Sequence, residues 1–575
     1  MGLTEAPWRD PLDAAREVIE TAERLEERIV TALRSRIRTR TAPARDSSPE
    51  PLDDHQLVCY ELARSASELA AARAVLEYAA SLREAAAAGG SAEAGPAAVE
   101  EPCALLFIAE MAQSLRDRLS ARPADFGLSW QELSQSLERE PVRSFCSARL
   151  AAASMEALGE LLRQGQKAGS AGGLSLLDEE HEEQRGRFRE FTDRVVRPMA
   201  ERIHREDLLV PESILTPLIG MGAFGLSIPR RFGGRQEDGR EDTLGMIVVT
   251  EELSRGSLGA AGSLITRTEI LARAIRKGGT DEQQAWWLPK LAAGDPLCAV
   301  AVTEPDYGSD VASMKVAARR TEGGWLLDGT KTWCTFGGKA GLLLVLARTD
   351  PDRSLGHKGL SLFLVGKPPT DGKEFDHVQE GGGQVRGKAI PTIGYRGMHS
   401  FWIVFRNYFV PENALLGGEA GLGKGFYYLM AGFSGGRIQT AARAVGVMQA
   451  AFEEALSYAS RRVVFGRPVA DYQLTKVKLA RMAALLTTSR QFTRSVARLM
   501  DRGKGQTEAS MVKLFTCRAA EGITREAMQI HGGKGYAEGT PVSRHFVDAR
   551  VLSIFEGAEE TLALKVIARS LVEEQ

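Results

Sequence analysis

Close to the end of the chain, Ile554-Phe555-Glu556-Gly557 sets a carboxylate between an aromatic ring and a glycine, just before a helical run at 558–572. Two other stretches carry groups suited to binding chemistry. Val302-Thr303-Glu304-Pro305-Asp306-Tyr307-Gly308-Ser309-Asp310 is a polar turn ending in a Gly-Ser loop. Such loops offer backbone N–H groups and hydroxyls to an anion. Trp333-Cys334-Thr335 follows on a strand. An indole beside a threonine suits a flat ring stacked on the one and hydrogen-bonded at its edge by the other. In isolation the same residues also fit a solvated turn and a core tryptophan. The C-terminal section adds Arg462-Val463-Val464-Phe465-Gly466, Gln473 in Asp471-Tyr472-Gln473-Leu474, and Gln529-Ile530-His531-Gly532-Gly533-Lys534-Gly535-Tyr536.

These residues need elements to hold them. Residues 1–165 are rich in Ala, Glu, Arg and Leu, with apolar residues at helical spacing over 11–36 and 55–86. They read as a helical extension interrupted by flexible loops at 41–51 and 85–102. A Gly-rich interdomain linker is expected at 166–175. Residues 176–297 are helical again, with Phe188, Phe191, Val195 and Met199 on one face. Over 298–415 the period changes to that of strands. Trp325 to Thr335 reads as a hairpin turning at Asp328-Gly329, and LLLVLART, GLSLFLV and FWIVFRNYFV read as further strands. Over 416–575, helices at 437–460, 471–500, 506–530 and 558–572 suggest a four-helix bundle. The expected class is α+β, mainly α. Gly421, Gly423 and Gly425 follow no βαβ pattern, which excludes a dinucleotide-binding loop and leaves a flexible connection. No internal repeat is recognisable.

The bulk properties narrow the function. With 575 residues, about three or four domains are expected. A formal charge of −2 argues against a general polyanion binder. Cys59, Cys103, Cys146, Cys298, Cys334 and Cys517 form no CxxC pair and no metal-ligand spacing, so they read as free thiols and no metal is expected. The N-terminus resembles neither a signal nor a transit peptide, and no apolar run is long enough to span a bilayer. A cytoplasmic protein without nucleic acid or membrane partners is expected.

Taken together and in this order, the motifs resemble the acyl-CoA dehydrogenase family over about 180–575. The resemblance implies a helical domain, a β-barrel-like middle domain and a C-terminal four-helix bundle, with FAD as cofactor. It implies that Val302, Thr303, Trp333 and Thr335 contact the flavin ring, and that Ser309 lies near the flavin pyrophosphate or the substrate's pantetheine. Arg462, Gln473, Gln529, Gly532 and Gly533 would hold the adenine half of a neighbouring subunit's FAD, which makes the assembly at least a homodimer. Glu556 matches the family's catalytic base, between Phe555 and Gly557 at the acyl end of the site. It would take the α proton while the flavin takes the β hydride. Its backbone N–H would bond the thioester carbonyl. Some members carry the base on a bundle helix just before an Arg. Here that position is Gly436, which cannot act, and Arg437 would lie near the CoA arm. After Glu-Gly the family usually has Thr-Ser-Glu/Gln; Ala558-Glu559-Glu560 departs from it and puts one flavin contact in doubt.

Lys331 to Phe336, Thr392 to Ser400, Gly436 to Ala451 and Ile554 to Ala558, with the N-terminal extension, resemble the members that convert methylsuccinyl-CoA to mesaconyl-CoA in the ethylmalonyl-CoA route. Such a substrate brings a second carboxylate into a pocket already holding Glu556, and a cation must compensate. Arg267, in Leu264-Ile265-Thr266-Arg267-Thr268-Glu269, is the candidate; an Arg267–Glu269 ion pair is the competing reading. Arg396 is a weaker candidate. Electron-transfer flavoprotein would accept the electrons. The alternatives are a dehydrogenase for another short acyl-CoA (isobutyryl, butyryl or glutaryl), an acyl-CoA oxidase, or a non-enzymatic DNA-binding or scaffold relative.

Overall fold

The computed structural model describes residues 10–39, 51–88, 97–167 and 176–573. The described chain opens with helices α1 Pro11–Thr39, α2 Gln56–Ala88, α3 Ala97–Ala121, α4 Trp130–Leu137, α5 Val142–Arg149 and α6 Ala152–Lys167. Then come α7 Glu179–Phe191, α8 Arg197–Arg205, α9 Glu212–Gly220, α10 Thr243–Gly256, α11 Leu264–Gly278 and α12 Asp281–Ala292. The strands are β1 Cys298–Ala301, β2 Ala317–Thr321, β3 Gly324–Thr335, β4 Leu342–Arg348, β5 Leu360–Gly366, β6 Glu374–Val378, β7 Gln384–Ile390 and β8 Ser400–Pro411. Helices return as α13 Gly425–Arg461, α14 Gln473–Asp501, α15 Gln506–His531, α16 Gly533–Tyr536 and α17 Pro541–Leu552. Last, α18 Glu559–Thr561 runs through a π-helical segment, Leu562–Ala568, into α19 Arg569–Glu573.

By contacts the chain divides into two units. One takes Met1–Asp178, Met448–Val496 and Gly505–Gln575; the other takes Glu179–Val447 and Ala497–Lys504. In the first, α1 forms because Ala15, Val18, Ala22, Leu25, Ile29 and Leu33 recur at helical spacing, and all are buried. It packs on α2 and α3, and α2 packs on α15 and on the 562–568 segment.

In the second unit the strands form one sheet in the order β1-β4-β2-β3-β8-β7-β6, with β5 on β4. The apolar run of β4 is continuous because both its faces are covered. Leu343, Val345 and Ala347 enter a core lined by Trp325, Phe363 and Phe401. Leu342, Leu344 and Leu346 enter another, lined by Ile270, Leu271 and Ile275 of α11. That second core fixes α11 against the sheet.

The structure corrects several expectations. Asp328-Gly329 is no hairpin turn: β3 is one strand over Gly324–Thr335, with a register shift against β8 between Leu327 and Gly329. Asp328 instead accepts a hydrogen bond from Asn407 N at 2.7 Å. The turn falls earlier, at Gly323, whose φ of +72° joins Thr321 to Gly324. The loop expected at 85–102 is helical at both ends, in α2 and α3. The expected linker, beyond Lys167, and most of the loop at 41–51 lie outside the described residues. Helix α13 begins at Gly425, well before the expected 437. The glycine-rich approach to it is packed closely: a Cβ at Gly425 would lie 2.5 Å from the Ser361 carbonyl carbon, and Gly423 N donates to Ser361 Oγ at 3.0 Å. Among the described residues no helix is long and apolar enough to cross a membrane.

Candidate active site

Within the sheet unit, Val302, Thr303, Trp333 and Thr335 come together. Thr332 N donates to Thr303 O at 2.8 Å, which joins the 302–310 turn to β3 beside Trp333. The β3–β8 register shifts again between Lys331 and Cys334. Lys331 and Trp333, two apart, would share a face of a regular strand, and this irregularity separates them. Lys331 is fully buried, whereas Trp333 is 55% exposed with φ at +56°. An exposed indole held in left-handed backbone is unusual for a bulky residue. Thr335 Oγ1 and Ser400 Oγ are 3.0 Å apart in a buried pair. An exposed flat indole two residues from a buried hydroxyl pair is the kind of surface on which a planar ring such as that of FAD stacks. Ser309 is exposed on its loop.

Glu304 is what shapes that loop. Its carboxylate accepts from Lys315 N at 2.8 Å, Val316 N at 2.9 Å and Lys331 Nζ at 2.9 Å. Lys331 Nζ also donates to Val302 O at 2.8 Å. Desolvation pulls the Lys331 ammonium below its usual range, against the opposing pull of Glu304. Removing one partner of a buried, hydrogen-bonded pair strands the other charge. Lys331→Met is therefore expected to destabilise the protein by about 3–5 kcal/mol and to release flavin. Equilibrium unfolding in urea and the flavin-to-protein absorbance ratio check this.

Arg267 lies buried in α11. Its charge reaches the thiols of Cys298 and Cys334, where it opposes the rise that burial imposes on each. Since Cys334 sits between Trp333 and Thr335, the guanidinium is close to the strand that carries them. Glu269, the competing partner, is paired with Arg273 one turn further on. Arg396 is anchored structurally, donating from Nε to Thr392 O at 3.0 Å and from Nη1 to His204 O at 2.9 Å. Arg437 is half-buried on α13. One turn and a half further on, Arg443 is fully buried and donates to Ser263 Oγ at 3.0 Å and Thr440 Oγ1 at 2.6 Å.

In the helical unit, Glu556 sits on the turn between α17 and α18. Its φ is +54° and that of Gly557 is +101°. A left-handed non-glycine residue costs on the order of 1–3 kcal/mol and persists only where its surroundings enforce it. Here the buried Lys513 of α15 donates to Gly557 O at 2.7 Å. The φ of Gly557 favours glycine, and a Cβ there would also press on the end of the Leu562 side chain at 2.9 Å. Phe555 is half-buried beside Glu556. Arg462, Gln473, Gln529, Gly532 and Gly533 are all exposed. Tyr458 stacks on His531 at 4.2 Å, which brings the Arg462 end of α13 to the loop of Gln529, Gly532 and Gly533. Gln473 stands apart from them in its bonding, donating to Glu156 of α6 at 3.1 Å. Sequence reading missed Lys331, Lys513 and Arg443. Lys513 and Arg443 are cations inside otherwise small or apolar stretches, the one available signal, whereas Lys331 between Thr330 and Thr332 offers none.

Residues 178–295, 299–408 and 423–572 match the models for the acyl-CoA dehydrogenase N-terminal, middle and C-terminal domains. Residues 10–123 match a further model, also described as an acyl-CoA dehydrogenase C-terminal domain. Models described as acyl-CoA dehydrogenase C-terminal domains thus match near each end of the chain. The chain is 44% identical over 403 residues to (2S)-methylsuccinyl-CoA dehydrogenase of Cereibacter sphaeroides, covering 70% of this chain and 71% of that protein. Butyryl-CoA dehydrogenase from Megasphaera elsdenii superposes with a TM-score of 0.63 at 29% identity, over 69% of this chain and 100% of that one. A glutaryl-CoA dehydrogenase from Mycobacterium smegmatis in complex with FADH2 does so with a TM-score of 0.60 at 27% identity, over 69% and 96%. With helical, sheet and helical segments all matched in sequence order, the chain belongs to the acyl-CoA dehydrogenase family, FAD-dependent oxidoreductases acting on the CH–CH group of acyl-CoA thioesters.

Proposed function

We propose that this enzyme dehydrogenates a short branched dicarboxylic acyl-CoA, methylsuccinyl-CoA to mesaconyl-CoA. Glu556 takes the α proton, and its backbone N–H supports the thioester oxygen as negative charge develops there. Arg267 holds the distal carboxylate through its planar fork. Arg437 lies along the CoA arm, with Phe555 and Gly557 at the acyl end and Ser309 near the pantetheine or the pyrophosphate. Val302, Thr303, Trp333 and Thr335 hold the flavin ring. Bound FAD supplies the acceptor for the β hydride, and electron-transfer flavoprotein takes the electrons onward.

The observation that carries the substrate reading is Arg267: a buried guanidinium beside the strand of Trp333 and Thr335 answers a substrate with a second negative charge. The 44% identity to a methylsuccinyl-CoA dehydrogenase agrees with it. Arg462, Gln473, Gln529, Gly532 and Gly533 receive the adenine half of a second copy's FAD. The exposed Phe465 and Tyr536 beside them suit burial in a homodimer.

Mixing the purified holoenzyme with (2S)-methylsuccinyl-CoA under anaerobic conditions is expected to bleach the flavin band. Bleaching by butyryl-CoA and none by methylsuccinyl-CoA would overturn the substrate. Stoichiometric peroxide on aerobic turnover would overturn the electron acceptor in favour of an oxidase.

A further inference from the structure

The stretch 559–573 follows Glu556 after only two residues, and the N-terminal helices hold it along its length. At its start, Tyr60 of α2 donates its hydroxyl to the Glu559 carboxylate. Arg518 of α15 donates to both, reaching Glu559 at 2.5 Å and the Tyr60 oxygen at 2.8 Å. In its middle, Lys565 Nζ lies 2.9 and 3.0 Å from the two carboxylate oxygens of Asp53. At its end, Arg34 of α1 donates to Val572 O at 2.8 Å and Leu571 O at 2.9 Å, capping carbonyls that a helix C-terminus leaves open.

These three holds are not equivalent. Arg34 and Asp53 act on the helix far from Glu556. Tyr60 and Arg518 act at its first residue, on a carboxylate only 15% exposed. Between Glu556 and Glu559, Lys513 fixes Gly557 O. The left-handed pair Glu556 and Gly557 is therefore gripped from α15 directly and from α2 through Glu559. Burial, and then the neighbouring Glu559, push the Tyr60 phenol up to about 12, so its hydroxyl remains a donor across the working pH range.

We propose that the N-terminal helical domain is a clamp on the catalytic turn and that Tyr60 is its positioning residue, setting the Glu556 carboxylate through Glu559. This rests on the reading of Glu556 as the base. A base displaced by a fraction of an ångström loses its alignment with the α C–H bond while the substrate still binds. The expected signature is a fall in the chemical step without a change in affinity.

The test uses full-length holoenzyme and follows flavin bleaching by rapid mixing, with KM, flavin content and thermal midpoint measured alongside. Tyr60→Phe is expected to lower the saturating bleaching rate about tenfold while KM and flavin content stay within about twofold. Arg34→Met, which loosens the far end of the same helix, is expected to lower the midpoint and leave the bleaching rate within about twofold. Should Tyr60→Phe fail to fold, Glu559→Gln, which keeps an acceptor but loses the charge, is expected to show the same split. An unchanged rate in Tyr60→Phe, or losses that track the midpoint alike in both variants, overturns the clamp. Glu556→Gln separates the two readings. If it still bleaches at the normal rate, the base assignment fails; if it is inactive while Tyr60→Phe is normal, the clamp alone fails.

Discussion

Glu556→Gln is expected to slow substrate-driven bleaching of the flavin by about a hundred- to ten-thousandfold, the span over which a positioned general base contributes. Glutamine has the same shape and can occupy the same left-handed turn at no greater backbone cost. Flavin content and thermal midpoint should therefore stay at the normal values, and KM should change little. What is removed is the ability to accept the α proton while the thioester carbonyl gains charge. Glu556→Asp keeps a base but withdraws it by one methylene, and an intermediate loss of about tenfold to a hundredfold is expected. No relay from the other familiar base position can rescue either variant, because Gly436 on α13 has no side chain to offer. Stopped-flow bleaching at saturating acyl-CoA measures the effect. A glutamine variant that bleaches at the normal rate would show that the proton leaves to another group.

The parts of this molecule legible in the sequence were those where one residue type has one physical meaning. The change from helical to strand period and back marked where the sheet lies between helical segments, and Glu556, Trp333 and Arg267 drew attention because a carboxylate, an indole and a guanidinium in those settings ask for partners. What the sequence hid was the consequence of irregular backbone. Asp328-Gly329 carries the usual signature of a hairpin, yet it is a register shift within β3 because β8 runs alongside the whole strand. Nothing in Lys331-Thr332-Trp333 says that the lysine is interior and the tryptophan exposed; that depends on a second shift against β8. Where the N-terminal helices dock was equally hidden, since Tyr60, Asp53 and Arg34 meet partners several hundred residues away in sequence. Glu559, the unusual residue three positions after Glu556, finds its partners there, in Tyr60 and Arg518.

The sharpest test of the substrate lies in Arg267→Met. Losing one member of a desolvated, hydrogen-bonded charge pair costs roughly 2–5 kcal/mol. With each 1.4 kcal/mol worth about tenfold, kcat/KM for methylsuccinyl-CoA should fall by about two orders of magnitude or more. Butyryl-CoA presents a methyl where methylsuccinyl-CoA has its carboxylate, so on that substrate the variant should stay within about threefold of the parent. Methionine is chosen because it is flexible and of similar length, so that it refills the buried space that the arginine stem occupies. Arg267→Lys completes the argument. It keeps the charge and discards the planar fork, and an intermediate loss on the dicarboxylic substrate is expected. Equal losses on both substrates would make Arg267 a structural cation of the α11–sheet core, next to Cys298 and Cys334. The compensating charge for the proposed substrate's second carboxylate would then have to come from elsewhere, because a desolvated carboxylate left unpaired carries a large penalty.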